Sequence, residues 1–157
     1  MKFIIQRVSH ADVAIKSENG LYGEPVGQIG AGFLVLVGVG SNDTEAVAAK
    51  MVKKMLGLRI FADAEGKSNL DIKSVGGELL IISQFTLYAD CKKGHRPSFI
   101  EAANADLANQ LYQFVIAACK KEIEIVEAGV FGASMRISMV GEGPFTVVLD
   151  SEELFRF

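Results

Sequence analysis

Two short, unbroken apolar runs stand out from the rest of the chain, Phe33 to Val37 and Leu79 to Ile82. Apolar runs without alternation mark strands covered on both faces. Elsewhere the pattern alternates. Lys2 to Val8 predicts a first strand, and Val13 and Ile15, set between Ala14 and Lys16, predict a second. Asn19-Gly20 is a turn signal, and Gly23, Pro25 and Gly27 predict an open connection after it. Ala48, Met51, Val52, Met55 and Leu56 recur at helical spacing. Asn42 as cap, Glu45 three residues on and Gly57 as stop bound that helix, whose Lys50, Lys53 and Lys54 read as its solvated face. Arg59 to Phe61 predicts a short strand, Asp63 to Gly66 a turn, and Asn69, Asp71 and Gly76-Gly77 predict loops. A second helix starts at Asn104 or Asp106, buries Leu107, Leu111, Phe114, Val115 and Ala118, and ends near Lys120-Lys121, where the helix dipole favours cations. Ile123 with Ile125, then Met135, Ile137 and Met139, then Phe145 to Leu149 predict the last strands, with a turn at Gly141-Glu142-Gly143-Pro144.

Seven or eight strands and two long helices are too few helices for strict alternation of the two element types. The expected fold is α/β: a single domain over residues 1–157, with mixed β-sheet layers and the two long helices packed on one side, a three-layer α/β/β arrangement.

Composition narrows the classes. The chain has 157 residues, half of them hydrophobic and 22% charged, which is enough to build a core. No apolar run approaches the roughly 18 residues of a membrane span. The stretch Met1 to Arg7 makes a poor export signal and a good strand, so a cytoplasmic location is expected. Cys91 and Cys119 have no CxxC spacing and read as free thiols. His10 and His95 are the only histidines, and neither is spaced with a cysteine pair, so neither a metal nor a cofactor is expected. The net charge of −3 implies that any RNA is touched locally, at one end of the molecule.

The chemistry concentrates after the second apolar run. Ser83-Gln84-Phe85-Thr86-Leu87-Tyr88 places polar side chains at the end of a buried strand, where they cap it or line a site. Ser83 or Thr86 as nucleophile needs an adjacent base, and two histidines leave little to supply one. Backbone N–H groups in a turn after Gln84 offer another route, by stabilising a developing oxyanion. Gly38-Val39-Gly40 suggests nucleotide binding, but Asp43 stands where the G-x-G-x-x-G fingerprint needs glycine, so a tight turn is the expectation. Lys92, Lys93 and Arg96, in the loop fixed by Gly94 and Pro97, are candidates for phosphate contact. The residues alone leave open a non-catalytic nucleotide-binding module and a serine or threonine hydrolase of small esters.

Ser83-Gln84-Phe85-Thr86-Leu87, together with Gly143-Pro144-Phe145-Thr146, resembles the two signature motifs of the D-aminoacyl-tRNA deacylases, and the resemblance runs the length of the chain. It implies a metal-independent hydrolase of the D-aminoacyl-tRNA ester that acts at the 3′ end of the tRNA. Ser83, Gln84, Phe85 and Thr86 would line the site, and the 2′-hydroxyl of the terminal adenosine would assist. The resemblance further implies a homodimer in which a cis Gly143-Pro144 peptide enters the partner's active site, where its carbonyls exclude L-amino acids, steadied by Arg7. Exclusion of a Cβ cannot reject glycine, so glycyl-tRNA is an expected substrate too. Gly141 departs from the asparagine common in the family and lacks its side-chain hydrogen bond. The Gly20 to Gly27 stretch is longer than in many members and reads as a surface insertion.

Overall fold

The computed structural model describes residues 1–155. Its elements in order are strands β1 (Lys2–Lys16), β2 (Tyr22–Ile29) and β3 (Gly32–Gly38), helix α1 (Glu45–Leu56), strands β4 (Phe61–Ala62), β5 (Ser68–Leu70) and β6 (Glu78–Ser83), a 3-10 turn (Phe85–Tyr88), helix α2 (Ala105–Lys120), strands β7 (Val126–Ala128) and β8 (Met135–Asp150), and a short helix α3 (Ser151–Leu154).

Strand β1 organises the sheet. Antiparallel β8 pairs with it from Lys2 to Ile15, leaving the other edge to two strands in succession. Lys2 to Val8 pairs with β3, and Ala11 to Lys16 pairs with β2. Strand β3 then continues the sheet through parallel β6 and β7. The two parallel steps carry α1 and α2 as crossovers, as parallel pairing requires.

Side-chain alternation sorts the core onto two faces. Phe33, Val35 and Val37 of β3 and Leu79 and Ile81 of β6 face the helices, with Met51, Met55, Leu111 and Val115. Leu34, Leu80 and Ile82 point the other way, onto Val8, Ala11, Val13 and Ile29. The bent halves of β1, β2 and β8 therefore form the second β layer. The sheet curls almost into a barrel, bringing β2 close to β7: a Cβ added at Gly27 would lie 3.2 Å from the Ala128 carbonyl oxygen. The expected α/β/β layering holds, with both β layers cut from one sheet.

Several expected boundaries move. Lys2–Val8 and Val13–Ile15 are one strand, because register shifts around Val8 absorb the irregularity at Ser9-His10 without breaking the ladder. The open connection expected around Gly23, Pro25 and Gly27 is strand instead: Tyr22 to Ile29 is β2, with Pro25 at a register shift, where proline is tolerated. Helix α1 is capped by Thr44, not Asn42; the Thr44 hydroxyl accepts from Val47 N at 3.3 Å. Asn104 caps α2, and its buried stripe is Ala108, Leu111, Tyr112, Val115, Ile116 and Cys119; Leu107, Phe114 and Ala118 sit on its flank. Ile123 closes the end of α2 with its N–H on the Cys119 carbonyl, so the strand begins later, at Val126. Ser68–Leu70 forms an unexpected strand that closes a hairpin with β4.

Tyr112 ties the helix layer to the sheet. Its buried hydroxyl donates to the Ile81 carbonyl at 2.7 Å and the Gly129 carbonyl at 3.2 Å. Burial pushes this phenol up to about 12. Tyr112→Phe is expected to cost about 1–3 kcal/mol in urea unfolding, because two carbonyls lose their donor. The folded phenol keeps its proton where the unfolded one, near 10.0, loses it. Its contribution is thus complete below pH 10 and is lost as pH rises towards about 12, and the gap between wild type and variant should narrow over that interval.

Candidate functional site

Strand β6 is apolar until it leaves the sheet. Ser83 pairs with Val37, and the Gln84 N–H donates to the Val37 carbonyl at 2.8 Å as the last rung. The chain then tightens into the Phe85–Tyr88 turn, in which Leu87 N donates to the Gln84 carbonyl. The first N–H groups of a helical turn have no partner within it. Here they belong to Phe85 and Thr86.

Gly38 and Gly40 make room for this turn. A Cβ at Gly38 would sit 2.9 Å from Leu87 Cβ, and one at Gly40 would sit 2.7 Å from the Tyr88 hydroxyl. The glycine pair that suggests phosphate binding is thus filled by the protein's own side chains. Asp43, in the place of the third glycine, accepts from Gly40 N at 2.7 Å, pairs with the Met1 ammonium at 2.6 Å and faces the Tyr88 hydroxyl at 3.5 Å. Burial first, then the Asp43 charge, raises the Tyr88 phenol well above its ordinary range.

The turn opens onto a cleft of ≈ 710 Å³. Ser83, Gln84 and Phe85 line it together with Phe99, Asn104, Phe131 and Met135. Thr86 is not among the lining residues; its hydroxyl accepts from the Gln84 side-chain amide. Among the described residues, no charged side chain and neither histidine lines the cleft. Phe85, more than half exposed, meets Phe99 edge to face at 5.0 Å. Lys92, Lys93 and Arg96 lie on an exposed loop closed by the Asp90–Ser98 pair, next to the cleft in sequence but outside its lining.

The second motif lies elsewhere. Gln6 pairs with Thr146 and Val8 with Gly141, so Glu142, Gly143, Pro144 and Phe145 together oppose Arg7 alone. These four residues bulge from an otherwise continuous β8; they do not end it as the expected turn would. The Gly143-Pro144 peptide is cis, and Gly143 has φ +124°. Arg7 holds the bulge: its Nε donates to the Glu142 carbonyl at 3.2 Å, and its guanidinium stacks on the Phe145 ring at 4.9 Å. Its Nη1 donates to the Ile60 carbonyl.

The structure does not bring the two motifs of one chain together. Gly143 and Pro144 are not among the cleft's lining residues, which on β8 reach only Ile137. Gly143 lies six residues further along that strand, on the order of 20 Å at ~3.3 Å per residue.

The model for "D-Tyr-tRNA(Tyr) deacylase" matches residues 4–150. The chain belongs to that family. It is 49% identical over 155 residues to a D-aminoacyl-tRNA deacylase of Desulfitobacterium hafniense, covering 99% of this chain and 100% of the relative. The corresponding relative from Thermosipho africanus is 46% identical, with the same coverage. Among solved structures, one titled "c-Myc DNA Unwinding Element Binding Protein" superposes with a TM-score of 0.87 at 34% identity, covering 96% of this chain and 98% of that one. A probable eukaryotic D-amino acid tRNA deacylase superposes at 0.75 with 19% identity, over 94% and 97% of the two chains, and shares the fold.

Within this deacylase fold, Phe99, Asn104 and Phe131 are lining residues that the sequence reading missed. The available signals were Phe99-Ile100, an apolar pair inside a polar loop, and Val130-Phe131, set between two glycines. Among the described residues, no three His, Cys, Asp or Glu side chains are grouped as metal ligands, and no helix is long and apolar enough to cross a membrane.

The packing of the turn is open to test. Gly40→Ala should cost about 1–3 kcal/mol, because the new methyl meets the Tyr88 ring. Gly23→Ala, with nothing within 4 Å of the added carbon, should stay within about 0.5 kcal/mol of wild type in the same urea titration.

Proposed function

We propose that this chain hydrolyses the ester of D-aminoacyl-tRNA, releasing free D-amino acid and tRNA, and that it works in the cytoplasm. The observation that carries this reading is the Phe85–Tyr88 turn, which starts where Ser83, Gln84 and Phe85 line an aromatic-walled cleft that has, among the described residues, no charged side chain. Such a cleft suits an ester that is already activated and needs positioning more than a strong nucleophile. Water adds to the ester carbonyl, the N–H groups of Phe85 and Thr86 hold the oxyanion, and the 3′ oxygen of the tRNA leaves with the proton. The 2′-hydroxyl of the terminal adenosine assists. Ser83 and Gln84 shape the approach, and Lys92, Lys93 and Arg96 meet the phosphates of the 3′ end.

In this proposal the working unit is a homodimer. Among the described residues, strand β8 pairs only with β1, and from Ser138 to Pro144 it is exposed along its length. A long open edge of this kind is normally covered. A two-fold partner would carry its own Gly143-Pro144 bulge to the cleft that the first chain cannot reach with its own. The bulge carbonyls then stand where an L side chain would go, while a D side chain points away. Arg7 keeps the bulge in place.

The deciding assay compares D-tyrosyl-tRNA with L-tyrosyl-tRNA: only the D ester should be cleaved, and a small-ester hydrolase would need no tRNA. Thr86→Ala should stay within roughly tenfold of wild type, since no base activates that hydroxyl; a loss of several orders of magnitude with the fold intact would restore threonine as nucleophile. Glycyl-tRNA should be cleaved where L-alanyl-tRNA is spared, because glycine has no Cβ to collide; equal survival of the two would rule out exclusion.

A further inference from the structure

The Arg7 guanidinium has two anchors. One is the bulge, through the Glu142 carbonyl and the Phe145 ring. The other is the Ile60 carbonyl. The fit is close: a Cβ at Gly143 would lie 3.0 Å from Arg7 Nη2. A shift of the guanidinium is passed to Glu142 and Phe145, the residues that flank Gly143-Pro144.

The Ile60 peptide is itself held from both sides. Before it, the exposed Arg59 side chain reaches across the base of the β4–β5 hairpin, its Nε donating to the Asn69 carbonyl at 2.8 Å and its Nη2 to the Asn69 side-chain oxygen. After it, Phe61 pairs with Leu70 and stacks on Phe33 at 5.2 Å with the rings 19° apart. The Ile60 side chain is buried in the core, so its carbonyl is the part left to turn. The Arg59–Asn69 clamp adds a rung to a hairpin of only two short strands, and it does so one residue from the carbonyl that Arg7 grips.

We propose that Arg59 and Asn69 are positioning residues for chiral discrimination: by fixing the Ile60 carbonyl they fix Arg7, and through Arg7 the placement of Glu142 to Phe145. This rests on the reading of Gly143-Pro144 as the element that excludes L-amino acids. Neither residue touches substrate, and neither lines the cleft. Loosening the clamp therefore leaves cleavage of the D ester alone and admits the L ester.

The test measures deacylation of D-alanyl- and L-alanyl-tRNA by wild type, Asn69→Ala, Asn69→Asp and Arg7→Ala. Asn69→Ala should lower the D-over-L ratio roughly tenfold, the scale of one lost hydrogen bond to a charged group, with the D rate kept. Asn69→Asp retains an acceptor for Arg59 and should hold the ratio near wild type. A merely structural role would depress both rates together and leave the ratio unmoved. An unchanged ratio in Asn69→Ala, while Arg7→Ala lowers it, overturns the role of the clamp and leaves the proposed function standing. An unchanged ratio in Arg7→Ala, or a wild type that does not discriminate, overturns the reading of the bulge and the clamp with it.

Discussion

The structure depends on one constraint: β3 and β6 are covered on both faces. Helices lie over Phe33, Val35, Leu79 and Ile81, and the curled half of the sheet lies over Leu34, Leu80 and Ile82. No polar side chain can sit in such a strand without a partner, so the polar residues wait until the strand leaves its cover at Ser83 and Gln84. The same close packing requires Gly38 and Gly40, because the turn after Gln84 must lie against the end of β3. The cleft and the Phe85–Tyr88 turn beside it follow from how the strand exits the layers.

The constraint also separates the two motifs. Burying β6 inside the sheet puts the turn at an interior strand's end, whereas the Gly143-Pro144 bulge needs an outer strand with room to protrude. Strand β8 has that room, because among the described residues only β1 pairs with it. Arg7 is the single residue opposite four, and its long side chain fills the gap that the missing ladder leaves. The proposed selection by exclusion suits this layout, since a bulge braced from behind by Arg7 offers backbone rather than a pocket matched to one side chain.

Much of this was legible in the chain. Phe33 to Val37 and Leu79 to Ile82 announced strands buried on both faces, and both lie inside the sheet. The five apolar residues of α1 were legible because helical spacing repeats over three turns. Long bent strands were harder to read. A bulge interrupts alternation just as a turn does, so β1 looked like two strands and β8 like two strands with a turn between them. The Thr44 cap was missed because Asn42 and Glu45 satisfy a local pattern, while pairing of Asp43 with the distant Met1 ammonium and Gly40 N–H decides where the helix begins. Phe99 and Phe131 were missed because nothing in a single sequence brings those two loops to one cleft.

In the proposed dimer each site joins the turn of one subunit to the bulge of the other. A mixed dimer, isolated through two different affinity tags, separates the two. One chain carries Phe85→Pro, which removes an N–H from the turn and leaves its bulge intact. The other carries Gly143→Ala, whose methyl would crowd Phe145 N at 2.9 Å and displace the bulge, with its turn intact. If sites are shared, the one working turn faces the one intact bulge, and the mixed dimer cleaves D-alanyl-tRNA while sparing L-alanyl-tRNA. Cleavage of L-alanyl-tRNA by the mixed dimer at the rate per working turn of the Gly143→Ala homodimer would contradict the account, because each turn would then be guarded by its own chain.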